Sequence, residues 1–585
     1  MSEKYKISFI NQKLTIEAEE GTTISKSCEM AGFPLDLVCN GRGTCGKCKV
    51  TIEKNNEKSI VLACTTKIKS DLNIYLNLSD YNRKANILET NTIDDSYEFK
   101  PSVTKIYVDI KNIKKENSGE YLRGCDLNIL KKFSDLIHQH DCKGITFIMF
   151  ENYIIDMQLN DTTAYLYGAA VDIGTTSVVV YIYDLNTGKS LKTYSNLNMQ
   201  ISFGADVISR IYYADNKTGL DELTSKIIQT INNMVNKADF ELSYFKDNLY
   251  NIVLCGNSTM QHLLFNLRPD SLGVSPFVNI INDYIECWGS DLSINCANRC
   301  KIVFLPLLGG FVGGDTTSVL LTVESDDKDK LIIDLGTNGE IAVGNMNRYI
   351  VASTACGPAF EGGSIECGMR GSNGAIQNFK IEDDKVRIRV IGDTYPIGIC
   401  GSGIIDITCE LLRENIIDNT GRMATKEEFV SKRPESELCE NLTPINGINS
   451  FVIFSHDDRK VYITQKDIRQ VQLAKSSIYS GCTSLIEAYG TRLEDLDEIV
   501  IAGAFGNYID VDNAISIGLL PSIDKSKITS IGNGAGKGVC MHLLNKDMKK
   551  KCDEIVKNSV HYELANDQKF TDGYIMNMNF HTKKY

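Results

Sequence analysis

The sequence lacks several features that would place it in a common functional class. It has no apolar run near the roughly 20 residues of a membrane-spanning helix, and Met1–Tyr5 opens no apolar signal region. Positive charge is also in deficit, because 62 basic residues face 75 acidic ones and the net charge is −13. This balance argues against a protein that binds nucleic acid by neutralising phosphates. We expect a cytoplasmic protein with no membrane or nucleic-acid partner.

The common nucleotide-binding fingerprints are missing as well. The run Gly534–Gly538 contains a lysine but lacks the GxxxxGKS or GxxxxGKT spacing of a P-loop. The Gly-x-Gly at 401–403 does not continue into the Gly-x-Gly-x-x-Gly of a dinucleotide-binding turn. If the chain binds a nucleotide, other elements must form the site.

Cysteine is abundant, with 19 residues, and four near the N-terminus are the most informative. With no export signal, we expect reduced thiols, a usage that also suits an anaerobe. Cys39, Cys45 and Cys48 follow the pattern C-x5-C-x2-C in a glycine-rich segment, and Cys64 comes sixteen residues later. Glycine lets backbone N–H groups approach the negatively charged sulfides of a cluster. The pattern predicts a 2Fe–2S cluster bound by these four cysteines, and hence one-electron transfer.

A structural zinc site is the alternative for the same cysteines. Four-cysteine zinc sites usually contain two C-x2-C pairs, whereas this segment has only one. Cys28 lies outside the pattern and is expected to be a small core residue. Spacing and glycine content therefore favour the iron–sulfur cluster.

The residues around these cysteines alternate as in a small sheet. The alternation predicts four strands, at Tyr5–Ile10, Lys13–Ala18, Lys49–Glu53 and Leu72–Leu78. A short helix is expected at Thr22–Met30. A small sheet, one helix and a cluster loop resemble the β-grasp ferredoxins over about residues 1–80.

Changes in pattern predict the boundaries of the remaining domains. The polar segment 81–100 lacks a period and is predicted to be a linker. A small α/β domain is expected at 101–165, a two-lobed domain at 166–560 with lobes at about 166–325 and 326–560, and a tail at 561–585. His138 and His140 beside Cys142 suggest a metal site, but side chains two apart on a helix do not face one ligand. A polar helix end is the better interpretation.

Two segments of the larger domain repeat one pattern. Ala169–Val179 and Leu331–Ile341 each consist of an apolar strand, an Asp-x-Gly-Thr turn and a second apolar strand. This duplicated hairpin predicts two similar lobes. Backbone N–H groups and hydroxyls at each turn can bind phosphate, and Asp172 and Asp334 can hold a hydrated Mg²⁺. Two turns that face each other across a cleft would bind a triphosphate from both sides.

Further small residues are candidates for the rest of a nucleotide site. They are Gly401, Ser402, Gly403, Gly503 and Ala504. The last two follow a buried strand, where a small-residue turn lets an adenine ring lie against the backbone. The first three precede a predicted helix at Ile404–Arg413, whose N-terminus could face the nucleotide.

The two hairpins and the Gly503 turn resemble the ATPase superfamily of actin, heat-shock chaperones and sugar kinases. Because a cluster-bearing β-grasp domain precedes them, the whole chain resembles the reductive activators of corrinoid proteins. Short runs that fit this family are Gly204–Ile211, Cys255–Met260, Gly309–Thr316, Gly357–Gly363, Gln465–Arg469 and Gly532–Gly536. The implied fold class is α+β and α/β multidomain, with a ferredoxin domain, a small α/β middle domain and a two-lobed actin-like ATPase domain.

The resemblance implies an ATP-dependent one-electron reduction of an inactive Co(II) corrinoid protein to Co(I), with the electron passing through the 2Fe–2S cluster. The implied cofactors are the cluster, ATP and Mg²⁺. The implied partners are a corrinoid methyl-carrier protein and an external low-potential electron donor, and the implied assembly is a homodimer.

For the ATPase chemistry we predict a role for each matching residue. Asp172 and Asp334 hold Mg²⁺ through water, and Asp315 orients the attacking water, with Glu361 as a second candidate. A structural turn is the alternative role for Asp315. The residues expected at the phosphates are Gly174, Thr175, Thr176, Gly336, Thr337 and Asn338.

Three other functions stay open from the sequence. A sugar-kinase-like phosphotransferase would need a polar, tryptophan-containing pocket between the lobes, and the single tryptophan, Trp288, lies outside the motifs. A ferredoxin-type electron carrier would keep the ATPase fold as a non-hydrolysing scaffold, although both hairpins are intact. An activator of a radical dehydratase, like a corrinoid activator with C-terminal four-iron clusters, would need a tight C-terminal cysteine set, and Cys540 and Cys552 are too far apart to form one.

Overall fold

The computed structural model describes residues 3–31, 33, 35, 41, 43, 48–54, 57–76, 93, 97–115, 121–457, 459–503 and 509–580. Cys39, Cys45, Ala504 and most of the predicted linker lie outside these ranges. Among the residues described, no helix is both long and apolar enough to cross a bilayer.

The N-terminal residues form a five-stranded mixed sheet in the order β2-β1-β5-β3-β4, with helix α1 packed on it. The elements are β1 (Lys4–Phe9), β2 (Leu14–Glu19), α1 (Ile24–Met30), β3 (Lys49–Lys54), β4 (Glu57–Leu62) and β5 (Leu72–Tyr75). The ferredoxin-like fold predicted here is confirmed. Strand β4 was not predicted, because its side chains are mostly exposed and show no apolar alternation; pairing with β3 holds it in place.

The next unit is a three-stranded antiparallel sheet, β6-β7-β8, with two helices. The elements are β6 (Val103–Asp109), α2 (Ile110–Lys115), α3 (Leu127–Ile137), β7 (Gly144–Phe150) and β8 (Tyr153–Leu159). Helix α3 ends at Ile137, and His138 caps it, with Nδ1 lying 2.7 Å from the carbonyl oxygen of Ser134.

Lobe I is built on a six-stranded sheet in the order β11-β10-β9-β12-β14-β13. Its strands are β9 (Tyr167–Ile173), β10 (Ser177–Asp184), β11 (Ser190–Leu197), β12 (Leu249–Gly256), β13 (Ile285–Trp288) and β14 (Lys301–Phe304). Its helices are α4 (Val207–Tyr213), α5 (Lys217–Glu241), α6 (Phe245–Asn248), α7 (Ser258–Leu264), α8 (Gly289–Leu292) and α9 (Gly314–Thr322). A 3₁₀ turn at Met199–Ser202 joins β11 to α4.

Lobe II repeats this arrangement in a sheet of order β24-β23-β15-β16-β17-β25. The strands of this sheet are β15 (Lys330–Leu335), β16 (Gly339–Asn345), β17 (Arg348–Thr354), β23 (Glu498–Ala502), β24 (Ile528–Gly532) and β25 (Ser559–His561). Two smaller sheets of lobe II contain β18 (Ala375–Glu382), β19 (Lys385–Val390) and β20 (Gly398–Ile399), and β21 (Ser450–His456) and β22 (Arg459–Thr464). In both lobes an antiparallel three-strand meander is followed by two strands parallel to its first member. The duplication predicted from the hairpins therefore extends to five strands of each sheet, while the sixth strands, β13 and β25, lie at opposite edges.

The helices of the second half are α10 (Gly401–Arg413), α11 (Lys426–Lys432), α12 (Gln465–Tyr489), α13 (Val511–Ser516), α14 (Gly534–Leu544), α15 (Met548–Asn558) and α16 (Gln568–Met576). Helix α14 leaves the lobe II sheet and packs on α9 and on the lobe I strands β9 and β12. Backbone meets backbone at this crossing, since a Cβ added at Gly538 would lie 1.8 Å from the carbonyl oxygen of Ser318. The two helices join the lobes tightly at this point.

Candidate functional site: a duplicated phosphate cleft and a cysteine loop

Two of the four predicted cluster ligands lie in the described part of the ferredoxin domain. Cys48 precedes β3 and Cys64 follows β4, and the antiparallel register Lys49↔Leu62 brings both to the same end of the pair. Both are buried, and the N–H of Ala63 donates to the carbonyl oxygen of Cys48 at 2.9 Å. Cys28 is fully buried elsewhere in the core, and burial raises the pKa of its thiol to about 12, which disfavours the thiolate that a metal ligand needs.

The two Asp-x-Gly-Thr turns occupy equivalent places in their hairpins but are closed by hydrogen bonds of different span. Asp172 and Asp334 are the penultimate residues of β9 and β15. The N–H of Gly174 donates to the carbonyl oxygen of Ser177 at 2.9 Å, and the N–H of Gly336 donates to that of Asn338 at 3.0 Å. At Gly174 a Cβ would lie 2.7 Å from the Ser177 oxygen, so only glycine fits this turn.

The turns meet across the cleft. Thr176 Oγ1 and Thr337 Oγ1 lie 3.4 Å apart, and Glu361 Oε2 accepts a hydrogen bond from Thr337 Oγ1 at 3.0 Å. A carboxylate that accepts from phosphate-turn hydroxyls occupies the position where phosphate oxygens would accept. This geometry brings together residues that the sequence places far apart.

Asp172 is held by side chains from two other elements. Asn533 Nδ2 donates to its Oδ2 at 3.3 Å, and Cys255 Sγ lies 3.8 Å from its Oδ1. Cys255 is the register partner of Asp172 on β12, and Asn533 is the N-cap of α14. The carboxylate therefore stands where the lobe I sheet meets the crossing helix.

The cleft is crowded with carboxyl groups. Burial raises the pKa of Asp172 to about 6 and that of Asp334 to about 7, the latter helped by the neighbouring charges of Asp315 and Asp172. Burial also raises the pKa of Asp315, which lies in the first turn of α9. Hard carboxylate oxygens are the donors that Mg²⁺ prefers, and it usually keeps several waters. Among the described residues, no three His, Cys, Asp or Glu side chains form a group that could hold a metal ion directly.

Glu340 is a cleft residue that the sequence reasoning missed. It pairs directly with Asp334 across β15 and β16, and burial near Asp315 and Asp334 raises the pKa of its carboxyl well above the usual range. Ser353 Oγ lies 3.4 Å from its Oε1. Its position in the sequence could have indicated this pairing, because Glu340 and Asp334 are equally distant from the centre of the hairpin turn.

Arg210 and Asn198 support the first turn from behind. Arg210 Nη2 donates to the carbonyl oxygen of Thr175, and Asn198 Nδ2 donates to that of Gly174 at 3.0 Å. Both side chains are fully buried. Arg210 belongs to a run that carried the family resemblance, but nothing in that run indicated this contact.

The remaining predicted residues come from two other segments of the chain. Gly401, Ser402 and Gly403 form the first turn of α10 rather than a loop before it, and Ser402 Oγ donates to the carbonyl oxygen of Gln377 at 2.8 Å. Gly503 has a φ of +111°, and a Cβ there would lie 2.4 Å from the carbonyl oxygen of Leu335. Ala504 lies outside the described residues.

Comparison with known proteins agrees with this architecture. Residues 328–585 match the family described as the C-terminal domain of RACo, the ASKHA domain; residues 167–328 match the RACo middle region; and residues 8–69 match the 2Fe–2S iron–sulfur cluster binding domain. The corrinoid activation enzyme RamQ of Eubacterium limosum is 41% identical over 583 residues, with 97% of each chain covered. The chain belongs to the family of reductive activators of corrinoid proteins.

Two further relatives support this assignment. The Co(II) methylated amine-specific corrinoid protein reductase of Methanosarcina barkeri is 28% identical over 456 residues, which covers 72% of this chain and 78% of that protein. The solved structure of a reductive activator for corrinoid, iron–sulfur protein superposes with a TM-score of 0.75 at 28% identity, with 98% of both chains covered. The ferredoxin-like domain and the ATPase-like lobes of this activator thus share one architecture with a known relative.

Proposed function

We propose that this activator reduces the Co(II) form of a corrinoid protein to Co(I) by one electron and couples this step to ATP in the cleft between its lobes. The observation that carries the proposal is the meeting of the two Asp-x-Gly-Thr turns, with Thr176 Oγ1 and Thr337 Oγ1 3.4 Å apart, in a chain that also carries a ferredoxin-like domain. One chain thus contains both the electron carrier and the nucleotide site that such coupling requires.

The residues of the cleft have different roles at the nucleotide. Hydroxyls and N–H groups of the two turns bind phosphate oxygens, and Asp172 and Asp334 hold hydrated Mg²⁺, which neutralises phosphate charge. Asp315, in the first turn of α9, orients the attacking water. Phosphoryl transfer depends mainly on such positioning and charge neutralisation, so few residues need to react.

The need for ATP follows from redox energetics. When bound by the cysteines, a plant-type 2Fe–2S cluster supplies one electron at about −400 mV. Free Co(II) corrinoids are harder to reduce, and each ~100 mV of uphill gap costs about 2.3 kcal/mol for one electron. Closure of the lobes on ATP can supply this free energy by changing the conformation of the docked corrinoid protein. We further propose that an external low-potential donor reloads the cluster and that the protein acts as a cytoplasmic homodimer.

The test is to incubate the reduced protein with a Co(II) corrinoid carrier protein without oxygen. The growth of the Co(I) absorption band is measured with and without Mg·ATP. We expect the band to grow only with ATP, and to be lost in Asp334→Asn and Cys45→Ala. Asp215→Asn, an exposed position on lobe I, makes the same change as Asp334→Asn outside the cleft and should retain activity. Growth without ATP would instead identify an electron carrier with a non-hydrolysing scaffold. ATP consumption stimulated by a small hydroxylated compound, with no Co(I), would identify a kinase.

A further inference from the structure

The ferredoxin-like domain touches lobe I through an alternating network of four charges. Lys226 Nζ lies 2.8 Å from Glu29 Oε1, and Lys26 Nζ lies 3.3 Å from Glu29 Oε2. Lys26 Nζ also donates to Glu222 Oε1 at 2.9 Å. Lys26 and Glu29 belong to α1, whereas Glu222 and Lys226 lie one turn apart on α5, so the network exists only while the two domains are in contact.

The carboxylate at the centre of this network is buried. Glu29 exposes only 3% of its surface, and a buried carboxylate is strongly destabilising if one of its partner charges is removed. Lys26 Nζ also lies 4.5 Å from the centre of the Phe203 ring, which packs edge-on against Tyr213 at 5.0 Å. We call the lobe I side of this contact, formed by Phe203, Glu222 and Lys226, the docking surface.

Buried hydrogen bonds connect the docking surface to the first phosphate turn. Gln200 Nε2 donates to the carbonyl oxygen of Leu223, in the turn of α5 that carries the docking charges, at 2.9 Å. Arg210 Nη1 donates to Gln200 Oε1 at 3.1 Å, and Arg210 Nη2 donates to the carbonyl oxygen of Thr175. Gln200 and Arg210 are both fully buried, so solvent does not compete for these bonds.

A second link runs through the segment that carries Phe203. The N–H of Phe203 donates to the carbonyl oxygen of Gln200 at 2.9 Å. Asn198 donates from its side chain to the Gly174 carbonyl and from its N–H to the Thr176 carbonyl, both at 3.0 Å. A peptide carbonyl that accepts a hydrogen bond makes the N–H of the same peptide group a stronger donor. The segment that docks α1 therefore also prepares the turn to donate to phosphate.

We propose that docking of the ferredoxin-like domain on this surface and nucleotide binding in the cleft stabilise each other. Docking fixes Phe203 and α5, and through Gln200 and Arg210 it holds the first turn in its phosphate-binding conformation. By linkage, bound nucleotide strengthens docking by the same factor. The inference rests on the proposed nucleotide site, and it makes loss of the nucleotide the event that frees the electron-carrying domain to leave lobe I.

The first test measures Mg·ATP affinity by calorimetry in the full-length, cluster-loaded protein without oxygen. Lys226→Glu places a like charge against Glu29, and we expect it to weaken binding at least about 5-fold, the low end of typical couplings. Lys217→Glu makes the same change on α5 at an exposed pair with Asp221 and should bind like wild type. Glu29→Lys combined with Lys226→Glu should restore part of the affinity, because it recreates the ion pair between the domains but places a like charge beside Lys26. Equal affinities of the two single variants would overturn the inference.

The second test measures amide hydrogen exchange in α1, Ile24–Met30, with and without a non-hydrolysable Mg·ATP analogue. We expect the analogue to slow exchange in wild type and to lose this effect in Lys226→Glu. Unchanged exchange in a wild type that binds the analogue would overturn the coupling and leave the proposed function intact. A correctly folded wild type that does not bind Mg·ATP would overturn the proposed function, and the coupling with it.

Discussion

The hydroxyl oxygens of Thr176 and Thr337 lie 3.4 Å apart, although the two residues belong to different lobes. Glu361 Oε2 lies within hydrogen-bonding distance of both, at 3.5 Å and 3.0 Å. The two copies of the duplicated hairpin therefore meet at one point, and a single acidic side chain bridges them. Phosphate oxygens that replace Glu361 as acceptors would bind both lobes at once.

Thr337→Val should weaken Mg·ATP binding about 10- to 100-fold. Valine keeps the shape of threonine but removes a hydroxyl donor, and a hydrogen bond to a charged group contributes about 1.5–3 kcal/mol. Calorimetric titration with Mg·ATP measures the effect. Thr483→Val makes the same change on an exposed turn of α12, where the hydroxyl donates to the Ser480 carbonyl at 3.0 Å, and serves as the control. A Thr337→Val affinity within about twofold of wild type would remove this hydroxyl from the site.

Asn533→Ser should lower Mg·ATP affinity more at pH 6.5 than at pH 8.5. Serine caps a helix as well as asparagine does, so α14 stays capped, but the amide donor to Asp172 is lost. That donor stabilises the ionised carboxylate and lowers its pKa, which burial has raised to about 6. Without it the pKa of Asp172 rises further, and a larger fraction is protonated in mild acid.

Binding curves across this pH range for wild type and Asn533→Ser measure the difference. Asn216→Ser is the matched control, because Asn216 caps α5 in the same way, accepting from the N–H of Gly219 at 2.9 Å. Parallel pH profiles for the wild type and Asn533→Ser would show that Asn533 does not act through Asp172.

Cys64→Ala should abolish the 2Fe–2S cluster, because one of its four predicted ligands is removed. Cys28→Ala removes a fully buried thiol from the same small core and should keep the full iron and sulfide content. Iron and sulfide analysis with the visible absorption spectrum measures both. Loss of the cluster in Cys28→Ala with retention in Cys64→Ala would reassign the ligand.

Stability should rise with pH between about 8 and 10.5 through Lys475. This fully buried side chain donates to the carbonyl oxygen of Asn579 at 2.5 Å, and burial lowers its pKa from 10.5 to about 8. Between these two pKa values the unfolded state binds the proton more strongly, so raising the pH favours the folded state. Below pH 8 the lysine is charged in both states, and the full destabilisation from burying the charge is present.

The free energy of unfolding of wild type relative to Lys475→Met should therefore increase by about 1–3 kcal/mol between pH 7.5 and 10.5, at 1.36 kcal/mol per pKa unit. Urea unfolding at each pH measures it. Lys432→Met makes the same change at an exposed position of α11. If both variants followed the same pH dependence, the burial of Lys475 would not be the cause.

The sequence was sufficient for features encoded in short runs. The two Asp-x-Gly-Thr turns could be predicted because each hairpin is local, and the ferredoxin-like fold because cysteine spacing and strand alternation lie within about 80 residues. The contacts between residues that are distant in the sequence could not be predicted. Asn533 approaches Asp172 from 361 positions away, and Glu361 approaches Thr176 from 185. Such pairs depend on how the two lobes cross.

Other differences have local physical reasons. Strand β4 escaped prediction because an edge strand with exposed side chains shows no apolar period. Gly401, Ser402 and Gly403 resembled a loop because glycine disfavours helix, yet a carbonyl packs within 2.2 Å of where a Cβ at Gly403 would be, and only glycine permits that approach. Packing decided both cases, against the local preference of the residues.

The contact between Gly538 and Ser318 gives the molecule a fulcrum. Because backbone touches backbone where α9 and α14 cross, no layer of side chains separates the two helices, and this contact favours a change of angle about that point over sliding. Displacement then grows with distance from the fulcrum. A shift of a fraction of an ångström near this point then becomes a larger displacement at the rim of the lobes.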